Sequence, residues 1–480
     1  MAALTIIGLG PGDPRQMTRE AWEVLERAEE LWLRTKEHPA VEGIPQKAAI
    51  HSFDSCYEDA EDFASVYGAI AGEILRLAKR DEGVIYAVPG HPLVGEATVK
   101  EILARAEAEG VPVRLVGGLS FIEPTLAALG IDALDGLQVV DAMELAGRYH
   151  PPLNPDLPAL VGQLHSKAVA GDVKLVLMNQ YPDDHPVALV HAAGMSSQQV
   201  ESLSLFELDR RGDIAHLTTL YVPPLDGVTS FEGLQDTVAR LRAPEGCPWD
   251  REQTHESLRS SLLEEAYEVA AAIDAGDTAS LQEELGDLLL QVLIHAQIAT
   301  EEGEFRAPAV VSGIDAKLKH RHPHVFGDLV VSGSEEVLQH WEQLKREEKG
   351  EEASVLDGVP AALPALQQAD AYSRRAARVG LDWSDPRGVA DKVREEMAEL
   401  EAAGTAEERE EELGDLLLAV VNWGRWLKVD AESALRRANS RFGGRFRHVE
   451  MTARQRGLDM TALSIDELEA LWQEAKSAGE

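Results

Sequence analysis

Hydrophobic and polar positions follow two different rhythms along this 480-residue chain. Up to about residue 225, short apolar runs alternate with longer stretches in which apolar residues recur every three or four positions. The runs LTIIGLG (4–10), GVIYAVPG (83–90), VPVRLVGG (111–118) and VKLVLMNQ (173–180) predict buried strands. Thr18 to Leu33 and Phe63 to Lys79 predict amphipathic helices. Such alternation predicts an α/β domain. The breaker cluster Val222-Pro223-Pro224-Leu225-Asp226-Gly227 ends it. From residue 231 onward Leu, Ala, Glu and Arg dominate with helical spacing, so the remainder reads as all-α. A second Pro/Gly patch, from Asp357-Gly358-Val359-Pro360 to Pro364, divides that remainder.

The two helical portions repeat each other. LLEEAYEVAAAI (262–273) is followed by LQEELGDLLLQV (281–292), and VREEMAELEAAG (393–404) by REEELGDLLLAV (409–420). Offsets of 131 and 128 residues between the two copies indicate a duplicated domain and not a solenoid of short units. The expected organisation is therefore an α/β domain over residues 1–225 and two all-α modules over 226–349 and 350–480.

Charge narrows the function classes. The 84 acidic and 45 basic residues give a formal net charge of −39, and both halves of the chain are acidic. A role resting on the nucleic-acid backbone or an anionic membrane needs a cationic patch, so neither partner is expected. Polyphosphates remain compatible, because a metal cation can mediate the contact. Two cysteines, Cys56 and Cys247, supply neither a disulfide framework nor a thiolate zinc site. With no basic leader and no run of about 18 apolar residues, a reduced cytoplasmic protein is expected.

The repeats carry the chemistry. Each has the form E-E-x-x-E, a gap, then E-x-x-D: Glu264, Glu265, Glu268, Glu284 and Asp287 in the first, Glu395, Glu396, Glu399, Glu412 and Asp415 in the second. Spacings of three and four put Glu264 with Glu268, and Glu284 with Asp287, on common helix faces. The string ELGDLLL predicts that these helices are largely buried. Carboxylates converging in a helical core need a compensating cation, and hard oxygen donors suit Mg²⁺ or Mn²⁺. One such match would be an ordinary solvated face in so acidic a chain. Two copies, each followed by ELGDLLL, are not explained that way. The alternating His320, His322 and His324 are interrupted by Pro323 and read as structural, and Cys247 reads as a packing residue at a helix entrance.

In order along residues 231–480 stand GCPWDREQTHESL, LLEEAYEV, EELGDLLLQV, KLKHRHPHVFGD, VLDGVPAALPAL, VGLDW and ANSRFGGRF. Together they resemble the tandem all-α nucleoside triphosphate pyrophosphohydrolases of the MazG family. The resemblance implies cleavage of NTPs or dNTPs to monophosphate and pyrophosphate, carboxylate-held Mg²⁺, a metal-activated water, and a homodimer formed through the helical modules. Carried onto these residues, it makes Glu395, Glu396 and Lys392 catalytic, and Lys392, Asn439, Arg441 and Arg445 substrate contacts. Ser261 stands where repeat two has Lys392. Aligning KLKHRHPHVF (317–326) with RANSRFGGRF (437–446) keeps Arg321 but puts Lys319 and Val325 at the Asn439 and Arg445 positions. Repeat two therefore holds the fuller set, and the C-terminal copy is the active one in tandem members.

Near the N-terminus, Gly8-Leu9-Gly10-Pro11-Gly12-Asp13 follows a strand, and glycines there let a ligand approach the backbone. It lacks dinucleotide-fingerprint spacing. GLGPGDPRQMT, AVPGHPLVGEATV (87–99) and LVGGLSFIEPTLAALGID (115–132) resemble the tetrapyrrole methylase family over about residues 1–225. That resemblance implies a two-lobed α/β fold with S-adenosylmethionine between the lobes, contacted by Pro11, Pro89, Gly90, His91, Val94, Ser120, Phe121 and Met178. The family commonly has Gly-Asp-Pro where this chain has Gly90-His91-Pro92, so a histidine replaces a carboxylate. Two other readings stay open: a methyltransferase with regulatory helical modules, and a protein that senses nucleotides without turnover.

Overall fold

The computed structural model describes residues 3–45, 47–58, 63–334, 336–337, 340–341, 344 and 354–478. Contacts divide the chain into two units, residues 1–237 and 238–480. The expected 349/350 boundary lies outside the described residues.

The first unit holds two sheets. Strands β1 (Leu4–Gly8), β2 (Glu30–Leu33), β3 (Ala49–Ser52), β4 (Val84–Val88) and β5 (Val113–Val116) form an all-parallel sheet in the order β3-β2-β4-β1-β5. The period of two splits β1 between two cores. Leu4 and Ile6 join Ile70, Ile74, Val99 and Ile102 beneath the helices Phe63–Ala78 and Ala97–Glu109. Ile7 packs on the opposite face with Ala21 and Leu25 of the helix Arg19–Arg27. Burial on both faces is what makes these strands read as continuous apolar runs.

The second sheet contains β6 (Gln138–Asp141), β7 (Ala159–Gly162), β8 (Pro186–His191), β9 (Gln199–Ser204) and β10 (Thr218–Val222), in the order β6-β7-β10-β8-β9. Only β6 and β7 run parallel; the other neighbours are antiparallel. The expected α/β fold is what forms here.

Two expected elements are corrected. The run 173–180 is not a strand, because residues up to Leu177 belong to the helix Lys167–Leu177, capped by Ser166. Its buried residues Ala170, Val173, Val176 and Leu177 follow the helical period, which a short apolar run cannot distinguish from a strand. The helix expected from Thr18 to Leu33 stops at Arg27, and Glu30–Leu33 becomes β2, with its residues alternately half-buried and buried.

The second unit is helical among its described residues. Its centres are two hairpins, Arg259–Ala275 with Thr278–Glu302 and Pro386–Ala402 with Ala406–Trp426. Gly276 (φ 67°) ends the first helix of one pair, and Asp277 caps the next by accepting from Ala279 and Ser280 N–H. Thr405 and Glu408 make a capping box in the other pair. The carboxylate-bearing helices are less buried than ELGDLLL suggested. Leu285 and Leu289, and in the second pair Leu413, Leu417 and Leu418, are 38–49% exposed on the single chain. The physical reason is that a helix pair covers only the face shared by its members. No described helix is long and apolar enough to cross a membrane.

Candidate functional site

In the second module, Asp385 caps the helix Pro386–Ala402 by accepting from Arg387 and Gly388 N–H, and Pro386 starts it. This sets Glu396 and Glu399 on one face, three residues apart. The short return through Ala403-Gly404-Thr405 brings Glu412 alongside. One carboxylate oxygen from each of Glu396, Glu399 and Glu412 lies within 4.8 Å of the others. Glu396 is only 4% exposed. Burial raises the Glu412 pKa, and the charges of Glu399, Glu396 and Asp415 push it the same way. A divalent cation would relieve that repulsion, so the donor set fits Mg²⁺ or Mn²⁺.

Lys392 lies one turn before these acids. Its Nζ is 2.7 Å from Glu395 Oε1 and 2.6 Å from Glu396 Oε1. Hydrogen bonds to Glu395, then Glu396, hold its pKa above the ordinary lysine range. Glu395 and Glu396 are thus both tied to the lysine, and only Glu396 belongs to the group of three. Asn439, Arg441 and Arg445 sit on the helix Ala431–Gln455, the first two exposed and Arg445 half-buried.

The first module assembles the corresponding acids. Glu265, Glu268 and Glu284 converge within the same 4.8 Å limit, again leaving out the first glutamate of the motif, Glu264. Around the helix Glu265 and Glu264 flank Glu268 on opposite sides, about 60° and about 40° away, and it is the Glu265 side that lies toward Glu284. Burial raises the Glu265 pKa, and Asp287 and Glu268 add to it. Glu284 is raised by burial and then by Glu268, Glu283 and Asp287. Ser261 provides no cation here. Arg321 lies over the Trp341 ring, 5.6 Å from its centroid. The group formed by His255, Glu302 and Glu304 was not foreseen. His255 appears within QTHESL, but nothing local to it indicates the end of a helix some 50 residues away.

In the first unit, the glycine loop closes on β4. Gly10 N–H donates to Gly90 O at 3.2 Å, and Gly90 N–H donates to Gly10 O at 2.8 Å. A Cβ on Gly8 would collide with backbone atoms of Gly90 and Gly118. Pro11, Pro89, Gly90 and His91 thus gather beyond the carboxyl ends of β1 and β4, where open α/β sheets bind ligands. A cradle of bare backbone there fits S-adenosylmethionine. His91 Nδ1 accepts from Leu93 N–H at 3.1 Å, and Val94 N–H donates to His91 O at 3.0 Å. Ser120 donates through both N–H and Oγ to Glu123. Phe121 lies against Gly162, in the position that a Cβ there would fill. Met178 packs on the core of the second sheet.

A buried polar cluster beside this loop also escaped the sequence. Arg34 follows β2, and its Nε is 3.5 Å from Glu96 Oε1. Burial pushes Glu96 up to about 7, against the opposing effects of Arg34 and Thr98. Burial, with Arg34 adding to it, pushes His38 down to about 4, although its ring is hydrogen-bonded to the Pro11 backbone. Arg34 Nε, His38 Nδ1 and Tyr57 Oη are buried without hydrogen-bond partners among the described residues. Gln163 comes in from the second sheet at φ 60° and donates to Gly95 O at 3.1 Å. A charged residue after the strand LWL was the available signal for Arg34; Glu96 offered none.

Comparison with known proteins agrees with both halves. Residues 3–209 match the family model for tetrapyrrole (corrin/porphyrin) methylases, and residues 253–326 match the MazG nucleotide pyrophosphohydrolase domain. The chain is 41% identical to the uncharacterized protein YabN of Bacillus subtilis, over 98% of both chains. It is 45% identical to the nucleoside triphosphate pyrophosphohydrolase/pyrophosphatase MazG of Thermotoga maritima, over 52% of this chain and 97% of that one. The nucleoside triphosphate pyrophosphohydrolase of Escherichia coli K12 is also 45% identical, over 52% and 98%. The chain belongs to the MazG nucleotide pyrophosphohydrolase family, with a tetrapyrrole methylase domain ahead of the MazG portion.

Proposed function

We propose that this protein hydrolyses nucleoside triphosphates to monophosphates and pyrophosphate, and that the second helical module does so. The observation carrying the assignment is Lys392 beside the convergent Glu396, Glu399 and Glu412, where the first module has Ser261. In this reading Glu396, Glu399, Glu412 and Asp415 hold Mg²⁺, with Mn²⁺ as a substitute. A bound cation supplies charge neutralisation and a more acidic water. Lys392 leaves its carboxylate partners to meet phosphate oxygens, and Glu395, released from Lys392, accepts the proton of the attacking water. Asn439, Arg441 and Arg445 hold phosphate and sugar. Glu265, Glu268 and Glu284, with Asp287 beside them, give the first module a metal site without the full substrate set, and Glu264 stands outside it.

The exposed leucines of the two hairpins support a homodimer through the helical modules. The net charge supports a small polyphosphate substrate over a nucleic acid or membrane. Two free cysteines support a reduced, cytoplasmic setting. A second reading concerns the first unit: the Gly8, Gly10 and Gly90 cradle favours S-adenosylmethionine, with Pro11, Pro89, His91, Val94, Ser120, Phe121 and Met178 as expected contacts.

Product analysis tests the main reading. With Mg²⁺ and a panel of NTPs and dNTPs, monophosphate and pyrophosphate are expected in equal amounts. Diphosphate and orthophosphate would overturn the bond assignment. Nucleotide binding without products would leave a sensor in its place.

A further inference from the structure

A third ligand cluster lies at the far end of the first hairpin. Arg242, with a side chain only 6% exposed, ties two segments together. It donates to the carbonyls of Asp250 and Gln253, and to both carboxylate oxygens of Glu301. The turn after Gln253 is thereby fixed against the end of the helix Thr278–Glu302. Within that turn Thr254 N–H donates to Ser257 Oγ, and Ser257 N–H to Thr254 Oγ1. Gly303 (φ 78°) terminates the helix, and Glu304 N–H returns to Ala299 O at 2.9 Å. This closure folds Glu304 back beside Glu302.

His255 faces those two acids. Its ring meets that of His295 edge to edge and nearly coplanar, with centroids 5.0 Å apart and planes 7° from parallel, and the two Nδ1 atoms are 2.7 Å apart. One proton must lie between them. Placed on His255 Nδ1, it leaves the His255 Nε2 lone pair free. Nε2 is 3.9 Å from Glu302 Oε2, and ligand atoms of His255, Glu302 and Glu304 all fall within 4.8 Å of one another. A histidine ligand whose other ring nitrogen is oriented by a hydrogen bond is the usual arrangement around a protein-bound transition metal. His295 serves that purpose here, its Nδ1 accepting from His255 Nδ1.

We infer that His255, Glu302 and Glu304 form a Zn²⁺-class metal site in the first module, oriented by His295 and separate from the carboxylate group at Glu265, Glu268 and Glu284. One imidazole and two carboxylates suit Zn²⁺ or Co²⁺ better than Mg²⁺. Glu284 and Glu302 are 18 residues apart on one helix, about 27 Å at the helical rise, so one ion cannot serve both groups. The bound ion would pin the turn preceding one helix to the end of the next.

The test uses the full chain, stripped with a chelator and returned to saturating Mg²⁺. Zn²⁺ is titrated by calorimetry, and Co²⁺ by its visible absorption. The expected result is one tight equivalent per chain, with affinity at least 10-fold weaker in His255→Gln and in Glu302→Gln/Glu304→Gln. His295→Asn should weaken binding by about 10- to 100-fold, as loss of an orienting partner does. Glu265→Gln should leave it unchanged. Circular dichroism checks that each variant is folded. Wild-type binding no tighter than that of folded His255→Gln, or binding lost with Glu265→Gln, would overturn the site.

Discussion

Glu96→Gln and His38→Asn should pull the acid stability of the first unit in opposite directions. Glu96 is held at about 7 against an ordinary 4.5, so between those values the folded state binds more protons than the unfolded state. Its contribution is complete below pH 4.5 and is lost as pH rises to 7. His38 is held at about 4 against 6.5, so there the unfolded state binds more protons, and its contribution is lost as pH falls from 6.5 to 4. Each displacement corresponds to about 3 kcal/mol, because one pKa unit is about 1.4 kcal/mol. From pH 7.5 to 4.5 the two effects nearly cancel in the wild type.

The variants separate them. Glu96→Gln leaves only the histidine, so it should lose about 2.5 kcal/mol relative to wild type over that interval. His38→Asn leaves only the carboxyl and should gain a similar amount, about 2.5 kcal/mol. Surface carboxylates titrate alike in all three proteins and drop out of the comparison. Losing the ionic partner of Arg34 shifts Glu96→Gln by a constant without changing its slope. The assay is urea-dependent hydrogen exchange of peptides covering Leu4–Gly8 and Val84–Val88 at the two pH values. Parallel pH profiles for wild type and both variants would show that neither group is perturbed by burial.

Three further outcomes follow from the same geometry. Lys392→Met should lower kcat for pyrophosphate release by at least about 100-fold while circular dichroism stays unchanged, since a transition-state charge contact is removed from a partly exposed side chain; steady-state kinetics decide it. Gly8→Ala should destabilise the first unit by about 2 kcal/mol and abolish S-adenosylmethionine binding, measured by urea unfolding and calorimetry, because the new Cβ meets backbone that cannot rotate away. Leu413→Glu/Leu417→Glu should convert a dimer to monomers in light scattering, as these side chains are 47% and 49% exposed on the single chain; a mass that does not change would remove that face from the interface.

The parts legible in sequence were those set by local period and by repetition. The strands β1, β4 and β5 are short apolar runs that end at or beside glycines, and the breakers Val222 to Gly227 mark the end of the α/β part. The acids were legible because the chain states them twice. Their grouping was not: Glu264, Asp287, Glu395 and Asp415 stand outside the convergent groups of three, because only the facing of the two helices decides which oxygens meet. The run 173–180 was misread because four buried residues fit either period until the Ser166 cap is seen. Glu96, Arg34 and His38 are brought together through the parallel pairing of β2 with β4, a long-range contact that no local pattern encodes.

Hydrolysis by the second module is tested most directly by comparing variants of the two acid groups. Pyrophosphate release with Mg²⁺ should be compared across wild type, Glu265→Gln/Glu268→Gln and Glu396→Gln/Glu399→Gln, each as the full chain. Near-complete loss is expected in the Glu396→Gln/Glu399→Gln protein, with most activity retained in the other variant. Loss confined to Glu265→Gln/Glu268→Gln would contradict this assignment and move catalysis to the first module.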